Sequence, residues 1–146
     1  MKIKISVVIG TFNQVETLKK VLPIYEDQLC SRNSFEVILV DSNSSDNTHA
    51  FLKGYKPDYN FKYKIQDNKG KASARNEGVK LASGTYIIIT DADMIPGPAF
   101  IQGHLEAHLN SKKECCFEGL AWNMSYLEWP VKSATLSPQV GTFPKH

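Results

Sequence analysis

The sequence is short of the features that mark several classes of protein. It has three cysteines among 146 residues, Cys30, Cys115 and Cys116, with no Cys-x-x-Cys spacing. This argues against a disulfide framework and against a cysteine-based zinc site. The formal net charge is only +2, which is too small to indicate a nucleic-acid partner. The apolar run over residues 86–89 is far too short to span a bilayer.

The N-terminal sequence also lacks the pattern of a signal peptide. Lys2 and Lys4 lie within an alternating, strand-like pattern and not ahead of a long apolar region. We therefore expect a cytoplasmic protein, either free or at the cytoplasmic face of the membrane, with reduced thiols. The length is typical of one domain, so residues 1–146 are expected to fold as a single unit.

Strand-like and helix-like segments alternate along the chain. Segments rich in Val, Ile and other apolar residues predict strands over 3–9, 35–40, 62–65, 86–90 and 114–120. Apolar residues at helical spacing predict helices over 15–29, 47–53, 72–82 and 98–109. This order predicts an α/β fold: a Rossmann-like, mostly parallel sheet with right-handed crossovers and helices on both faces.

Local signals refine the first two helices. Asn13 and Glu16 predict a capping box at the start of the first helix. Pro23 is expected to kink or shorten that helix, and Asp46 is expected to cap the second one. These signals place both helix starts directly after the loops that leave the first two strands.

Polar clusters follow three of the predicted strands. Thr11-Phe12-Asn13 follows the first strand, Asp41 the second, and Asp91-Ala92-Asp93 the strand over 86–90. In an open parallel sheet, ligands bind at the carboxyl ends of the strands. We therefore expect these side chains to converge on one edge of the sheet.

Two interpretations are open for the acidic residues. Asp91 and Asp93 repel one another unless a cation intervenes, and such paired oxygens suit Mg²⁺ or Mn²⁺ together with substrate phosphates. They also fit a solvated turn in which Asp93 caps the next helix. Asp41 fits either an acceptor for a nucleobase N–H or a ribose hydroxyl, or a residue that forms a turn with its own backbone.

The segment 68–78, Asn-Lys-Gly-Lys-Ala-Ser-Ala-Arg-Asn-Glu-Gly, is rich in cations at a predicted helix start. A helix that begins after Gly70 binds anions through backbone N–H groups and the helix dipole. Lys69, Lys71 and Arg75 add positive charge toward a diphosphate. A solvated basic helix start is the other interpretation.

The histidines carry weaker signals. His104 and His108 have the spacing of a metal-binding pair on one helix, but Glu106 is misplaced for a His-Glu-x-x-His motif. A surface helix is the better interpretation of this pair. His49 is also interpreted as a helix-surface residue.

Taken together, these segments resemble the family 2 glycosyltransferases of the GT-A fold. The resemblance runs from about residue 5 to residue 100. It rests on Ser-Val-Val-Ile-Gly-Thr-Phe-Asn at 6–13, Glu-Val-Ile-Leu-Val-Asp-Ser-Asn-Ser-Ser-Asp-Asn-Thr at 36–48, the segment 68–78, and Tyr-Ile-Ile-Ile-Thr-Asp-Ala-Asp at 86–93. The resemblance implies a donor-binding core over residues 1–100 and the start of an acceptor-side region over 101–146.

The resemblance also implies which residues hold the nucleoside of a nucleotide-sugar donor. Thr11, Phe12, Asn13 and Asp41 occupy the corresponding positions in the first two segments. The nucleobase implied is most often uracil, so the expected donor is a UDP-sugar.

The remaining roles implied by the resemblance concern the diphosphate and the metal. Arg75 would lie near the diphosphate, Asp91 would face the ribose and the metal, and Asp93 would bind the cation, Mn²⁺ or Mg²⁺. The implied chemistry is inverting transfer of the sugar to a hydroxyl of a carbohydrate or other acceptor. The metal would stabilise the leaving diphosphate.

Two departures from the family pattern stand out. Met94 stands where many members have a third acid. The family's general base lies well downstream, often in a Glu-Asp pair, whereas the only such pair here is Glu26-Asp27. We therefore expect a chain that is incomplete at its C-terminus, with no catalytic base identified. Apolar residues over 122–143 are expected to favour homo-oligomers.

Three other classes share parts of the pattern. A dinucleotide-dependent oxidoreductase has Gly-x-Gly-x-x-Gly after its first strand, but this chain has Gly10-Thr11-Phe12-Asn13 there. A phosphatase of the haloacid-dehalogenase type usually has its Asp-x-Asp on the first strand, whereas here the pair comes late. A nucleotide-binding fragment without transferase activity is the main alternative.

Overall fold

The computed structural model describes residues 3–119, and these form a parallel sheet with helices on both faces. The strands are β1 (Ile5–Thr11), β2 (Phe35–Asp41), β3 (Asn60–Ile65) and β4 (Tyr86–Asp91). Every neighbouring pair is parallel, in the order β3-β2-β1-β4. The helices are α1 (Val15–Val21), α2 (Thr48–Gly54), α3 (Lys71–Leu81) and α4 (Phe100–Asn110). The predicted α/β class is confirmed.

The two faces of the sheet pack against different helices. Successive side chains of a strand point to opposite faces. The face that carries Val7 and Val37 packs against three of the helices. The apolar residues packed there include Leu18 of α1, Leu52 of α2 and Ile101 of α4. The opposite face packs against α3. Both faces of β1 and β2 are therefore buried, which explains why these strands are near-continuous apolar runs.

Two glycines bring α3 unusually close to β1. A Cβ atom added at Gly78 would lie 2.3 Å from Cγ1 of Val8, and one added at Gly10 would lie 3.3 Å from Cβ of Ala74. A larger residue at Gly78 would therefore push the helix away from the strand. This close packing fixes the position of the N-terminal turn of α3 relative to the carboxyl ends of the strands.

The first helix is shorter than its apolar spacing predicts. It ends at Val21, and Leu22–Asp27 continue as a 3₁₀ helix with Pro23 in its first turn. Proline has no N–H to donate to the preceding turn, so the expected shortening at Pro23 is confirmed. The predicted helix over 15–29 is wrong in its second half for the same reason.

The predicted capping box at Asn13 and Glu16 is wrong. The N-cap position is Gln14, and its side chain makes no capping bond. The side-chain oxygen of Asn13 instead accepts a hydrogen bond from the N–H of Ser45, at 2.7 Å. Asn13 has φ of 53°, a left-handed conformation that asparagine tolerates better than most residues. It therefore serves as a link between two loops.

Asp46 caps the starts of two helices. Its carboxylate accepts a hydrogen bond from the N–H of Val15 and another from the N–H of Thr48, each at 3.0 Å. Burial raises the pKa of Asp46, but hydrogen bonds from Thr48 and from the backbone N–H groups outweigh this and lower it. Asp46 therefore caps the first turn of α2, as expected, although the residue at the N-cap position is Asn47.

A buried carboxylate organises the opposite, amino-terminal edge of the sheet. Glu36 of β2 accepts hydrogen bonds from the hydroxyl of Ser6 at 2.6 Å and from the N–H and hydroxyl of Ser83, each at 2.7 Å. Lys62 of β3 lies 2.7 Å from its other oxygen. Burial raises the pKa of Glu36, but these hydrogen bonds, led by that from Lys62, lower it to about 2. Glu36 thus ties β1, β2, β3 and the segment before β4 together.

The predicted strand over 114–120 is wrong as far as the structure describes it. Residues 114–119 are not part of the sheet and are exposed to solvent. Local bonds between Ser111 and Lys113 turn the chain directly after α4. Residue 120 lies outside the described residues. So do the apolar residues over 122–143, which were expected to favour homo-oligomers. No helix within residues 3–119 is long and apolar enough to cross a membrane.

Candidate functional site

The predicted polar side chains do converge on one edge of the sheet. In the parallel register, Thr11 of β1 lies beside Asp41 of β2. Gly10, one residue before Thr11, lies beside Asp91 of β4. The carboxyl ends of three neighbouring strands therefore present these residues at the same height. The predicted convergence is confirmed by strand register alone, independent of side-chain conformation.

Asp41 lies at the centre of a hydrogen-bonded cluster. Its side chain is 0% exposed. One carboxylate oxygen accepts from the N–H of Ser44 at 2.9 Å and contacts Nε2 of His49 at 2.8 Å. The other oxygen accepts a short hydrogen bond from the hydroxyl of Ser44. The carboxylate is therefore satisfied by protein groups on both of its oxygens.

The cluster connects the loop after β1 to the loop after β2. The N–H of Asn13 donates to the hydroxyl oxygen of Ser44 at 2.7 Å. Asn13 and Asn43 are the two residues other than glycine with positive φ within residues 3–119. Residues other than glycine adopt this strained, positive-φ conformation mainly where the surrounding structure holds them in place. Next to this link, Phe12 is 47% exposed and Thr11 is buried.

The N-terminal turn of α3 carries two cations that converge on Asp91. The helix begins at Lys71, after Gly70 with φ of 85°. Oδ1 of Asp91 lies 2.8 Å from Nζ of Lys71 and 2.7 Å from a terminal nitrogen of Arg75. Two cations against one carboxylate leave one net positive charge. This cluster lies beside a helix N-terminus, where the helix dipole adds to the attraction for an anion.

The cluster at Asp91 keeps this carboxylate ionised and leaves one donor unused. The hydrogen bond from Lys71 lowers the pKa of Asp91 below its usual value; partial burial opposes this, and the bond from Arg75 reinforces it. Nε of Arg75 is buried and has no hydrogen-bond partner. A buried donor without a partner is costly, and this one belongs to a side chain that also bonds Asp91.

Asp93 has a different environment from Asp91. It is exposed, whereas Ala92 between the two is buried and fixes the turn after β4. The N–H of Met94 donates to the backbone carbonyl of Asp91 at 3.2 Å and closes that turn. Asp93 thus projects from a turn whose base is anchored in the core.

The residues present fit a metal that is held partly by substrate. Within residues 3–119 no group of three or more His, Cys, Asp and Glu side chains could hold a metal ion. The chain offers Asp93 and the Asp91 oxygen that does not face the cations. Mg²⁺ and Mn²⁺ are commonly bound by one or two carboxylates together with substrate phosphates. This donor set fits such an ion.

Two surface cavities differ in their relation to this edge. A groove of about 390 Å³ lies between the end of β3 and α3 and is lined in part by Gln66, Lys69 and Ser73. A larger cavity of about 480 Å³ is lined in part by Pro23, Phe51 and Tyr55. The smaller groove borders α3 and includes Lys69, but neither cavity is lined by Arg75 or Asp91.

The histidines at i and i+4 on α4 are engaged in packing. His108 stacks on Tyr86 with ring centroids 4.4 Å apart, and His104 contacts Phe100 edge to face at 5.1 Å. Burial lowers the pKa of His104, with a further contribution from His108. The stacking of His108 on Tyr86 joins α4 to β4, whereas the contact of His104 with Phe100 lies within α4.

Two of the residues in the cluster at Asp41 are not apparent from the sequence. His49 was interpreted as a helix-surface residue, yet its ring contacts a buried carboxylate at the carboxyl edge. Ser44 was part of an undivided polar loop, yet it bonds both Asp41 and Asn13. The sequence signal for both residues is that they follow β2 closely. A short loop after this strand brings residues 44 and 49 back over its end.

A parallel sheet with acidic and basic side chains at its carboxyl edge is typical of nucleotide-binding α/β domains. The sequence model of Glycosyl transferase family 2 matches residues 6–136. The chain therefore belongs to glycosyl transferase family 2. The match includes every strand and helix that the structure describes except for residue 5 of β1.

Similar proteins are found among characterised enzymes and solved structures. The chain is 35% identical over 106 residues to validoxylamine A glucosyltransferase of Streptomyces hygroscopicus subsp. jinggangensis, covering 71% of this chain and 25% of that protein. It matches S. aureus TarS 1-349 in complex with UDP at a TM-score of 0.66 and 25% identity, covering 71% of this chain and 31% of that one. It matches the mannosyltransferase PcManGT of Pyrobaculum calidifontis, in complex with GDP-Man and Mn²⁺, at a TM-score of 0.62 and 28% identity. This match covers 68% of this chain and 30% of that one. The chain thus spans between a quarter and a third of the length of these relatives.

Proposed function

We propose that this chain binds a nucleoside-diphosphate sugar, a UDP-sugar, for inverting transfer to a hydroxyl of a carbohydrate or other acceptor. The observation that carries the proposal is the convergence of Lys71 and Arg75 on Asp91, at the N-terminus of α3 and the end of β4. This is a preformed, positively charged position at the edge where ligands of parallel sheets bind. A diphosphate has the charge and the acceptor oxygens that such a position favours.

The diphosphate is assigned to the α3 side of the site. Arg75 provides a guanidinium that is about one-third exposed, and Lys71 provides an ammonium that is more than half exposed. Both already lie close to Asp91, so little side-chain ordering is needed when the ligand arrives. In this assignment Asp91 orients the two cations and also faces the ribose and the metal.

A divalent cation, Mn²⁺ or Mg²⁺, is assigned to Asp93 and the free oxygen of Asp91. When bound, the cation supplies positive charge that stabilises the leaving diphosphate. Asp93 is exposed at a turn with a buried base, so it reaches solvent without losing its position. In support, a structural relative is described in complex with GDP-Man and Mn²⁺.

The nucleoside is assigned to the loops after β1 and β2. Thr11, Phe12, Asn13 and Asp41 are the proposed nucleotide-binding residues there, with residues 101–146 as the start of the acceptor side. TarS is described in complexes with UDP and with UDP-GlcNAc, which supports a uracil donor. The GDP-Man complex of the mannosyltransferase makes a guanine donor the alternative that a binding screen must separate.

Replacing Asp93 by Ala should remove the metal-dependent part of UDP binding. Calorimetric titration of the 146-residue chain with UDP should show higher affinity with Mn²⁺ than with a chelator, and Asp93→Ala should abolish that difference. Asp27→Ala provides a matched control, because Asp27 is also exposed but lies in the 3₁₀ helix away from this edge. Equal UDP affinity in Mn²⁺ and in chelator for the unchanged chain would contradict the metal assignment.

The chain alone should transfer sugar slowly, because the acids at this edge are committed to other groups. Asp41 is buried, Asp46 caps two helices, and Asp91 pairs with two cations. A positioned general base typically contributes 10²–10⁴-fold to such a reaction, so roughly that factor should be missing. This commitment of acids favours donor binding without transfer as the second candidate function.

The rate is measured by mass spectrometry of products formed from UDP-sugars, hydroxyl acceptors and Mn²⁺. Glu118 is an exposed acid beyond α4, and Glu128 lies outside the described residues. Fast multi-turnover transfer that disappears in Glu118→Gln or Glu128→Gln would contradict the prediction and identify the base.

A further inference from the structure

Cys115 and Cys116 are adjacent, free thiols on an exposed segment. The sequence predicted them within a strand over 114–120, which would hold them in the sheet. The structure instead places both residues outside the sheet and exposed to solvent, without a disulfide. Exposed thiols are open to exchange with disulfides in solution, whereas buried structural cysteines are inert. The two cysteines therefore form an accessible pair that donor binding does not use.

The residue that follows the pair holds this segment against α4. The ring of Phe117 meets the ring of His108 edge to face, with centroids 4.8 Å apart. His108 in turn stacks on Tyr86, the first residue of β4, at 4.4 Å. Because Tyr86 begins its strand, this aromatic contact lies at the amino-terminal edge of the sheet, opposite the candidate site. A backbone change at Cys116 therefore acts directly on the contact between Phe117 and His108.

A bond between neighbouring cysteines requires such a backbone change. Consecutive Cα atoms are about 3.8 Å apart across a trans peptide, whereas disulfides usually join Cα atoms about 4.4–6.8 Å apart. Residues 111–119 follow α4 and have no helical or sheet structure, so no backbone ladder opposes the change. Disulfides that depart from the preferred geometry are also reduced more readily. The pair thus favours a bond that forms and reopens over a permanent crosslink.

We propose that Cys115 and Cys116 are a modification site for low-molecular-weight disulfides such as glutathione disulfide, and that exchange there moves Phe117 away from His108. The product is a bond between the two neighbouring sulfur atoms. The end of α4 then loses the ring that packs on His108 from the segment beyond the helix. This inference does not rest on the proposed function, because the aromatic contact lies away from the carboxyl edge of the sheet.

The exchange proceeds in two steps. Sγ of Cys115 donates a hydrogen bond to the hydroxyl of Ser111 at 3.1 Å, whereas Cys116 has no partner within residues 3–119. The Cys116 thiolate therefore attacks one sulfur of glutathione disulfide first, which breaks that S–S bond, forms a mixed disulfide and releases one glutathione thiolate. The Cys115 thiolate then attacks the Cys116 sulfur and displaces the second glutathione thiolate. The two released thiolates take up the two protons that the cysteines lose.

The test treats the reduced 146-residue chain with excess glutathione disulfide and measures its intact mass and peptide map. The expected product has lost two hydrogen atoms, carries no glutathione and contains a bond between Cys115 and Cys116. Cys115→Ser should stop at one glutathione on Cys116. Cys116→Ser should react more slowly, because its remaining thiol bonds Ser111. Dithiothreitol should restore the reduced mass of the unchanged chain.

Cys30→Ser is the matched control. Cys30 is half-buried, and burial raises the pKa of its thiol. This variant should therefore close the bond between Cys115 and Cys116 at the rate of the unchanged chain. Equal slowing of ring closure in Cys30→Ser and Cys116→Ser would contradict the assignment of the first attack to Cys116.

Nuclear Overhauser contacts between the rings of Phe117 and His108 measure the structural consequence. They should be present in the reduced chain and lost after oxidation. The His108 ring signals should then move to the positions that they have in reduced Phe117→Ala, in which the packing ring is absent. In reduced Cys115→Ser and Cys116→Ser the contacts should remain, since the thiols themselves do not hold Phe117.

The two parts of the inference fail separately. A chain that keeps glutathione on one or both thiols, or that forms bonds only between molecules, overturns the closure of the bond. A closed bond that leaves the contacts between Phe117 and His108 intact overturns the displacement of Phe117. Circular dichroism checks the folding of each variant. If a serine variant does not fold, the mass, peptide map and ring contacts of the unchanged chain still decide both parts.

Discussion

Replacing Glu36 by Gln should destabilise the protein by about 3 kcal/mol at neutral pH, the largest effect expected for any single substitution considered. The carboxylate is 1% exposed and is hydrogen-bonded to Ser6, Ser83 and Lys62. Glutamine keeps the size of the side chain but loses its negative charge. The free energy of unfolding is measured by guanidinium titration of the 146-residue chain.

The same variant should change how stability depends on pH. The pKa of Glu36 is about 2 in the folded protein, against an ordinary value of 4.5. A lowered pKa in the folded state means that the stabilisation is fully present above pH 4.5 and is lost as pH falls toward 2. The unchanged chain should therefore lose about 3 kcal/mol across this interval through Glu36, and Glu36→Gln should not.

A matched surface substitution gives the control for Glu36. Glu16 pairs with Lys19 on α1, but its side chain is 75% exposed. Exposed pairs contribute little to stability, so Glu16→Gln should leave both the unfolding free energy and its pH profile nearly unchanged. Parallel pH profiles for the unchanged chain and Glu36→Gln would show that Glu36 is not the group responsible.

Replacing Arg75 by Met should give the largest loss of donor binding. Arg75 offers a buried nitrogen without a partner and a second nitrogen bonded to Asp91. A hydrogen bond to a charged group is worth about 1.5–3 kcal/mol, so UDP should bind roughly 10- to 150-fold more weakly. Uridine, which has no diphosphate, should bind with unchanged affinity. Calorimetry with both ligands in Mn²⁺ measures the difference.

The control for Arg75 is Lys80→Met on the same helix. Lys80 is exposed and pairs with Glu77 one turn away, so its loss removes a positive charge from α3 without touching the site. Its affinity for UDP should differ from that of the unchanged chain by no more than about 2-fold, since exposed charges are screened by solvent and salt. Equal losses in both variants would indicate that only the overall charge of the helix matters.

The sequence was sufficient to predict the elements that depend on local periodicity and turn chemistry. The apolar runs that became β2 and β4 begin and end within one residue of their predicted limits. The convergence of Thr11, Asp41 and Asp91 also followed, because parallel strands necessarily bring their carboxyl ends to one edge. The fold class and the location of the site were therefore accessible from the pattern of residues.

What the sequence did not reveal are contacts between residues far apart in the chain. Asp46 bonds to Val15, 31 residues away, and Glu36 bonds to Ser83, 47 residues away. Neither pairing has a signal in local spacing, since each depends on how the loops and strands are placed in three dimensions. The capping box at Asn13 failed for this reason: a carboxylate from another loop took the position that a local side chain was expected to fill.

The role of the glycine in α3 shows the same limit in another form. Gly78 lies inside a helical pattern, where glycine normally reduces helix stability. The structure explains it by close approach, since a Cβ atom there would collide with Val8 of β1. The sequence predicted the helix, and only the packing shows why a helix interior tolerates this residue.

The double cap formed by Asp46 has a thermodynamic consequence for the two loops at the carboxyl edge. One carboxylate holds the first turns of both α1 and α2. If the two loops are displaced relative to one another, Asp46 can no longer bond to both helix starts. The loops after β1 and β2 therefore share a single rigid arrangement. Their ordering entropy is lost when the chain folds, so a ligand that docks between them meets a surface that is already fixed.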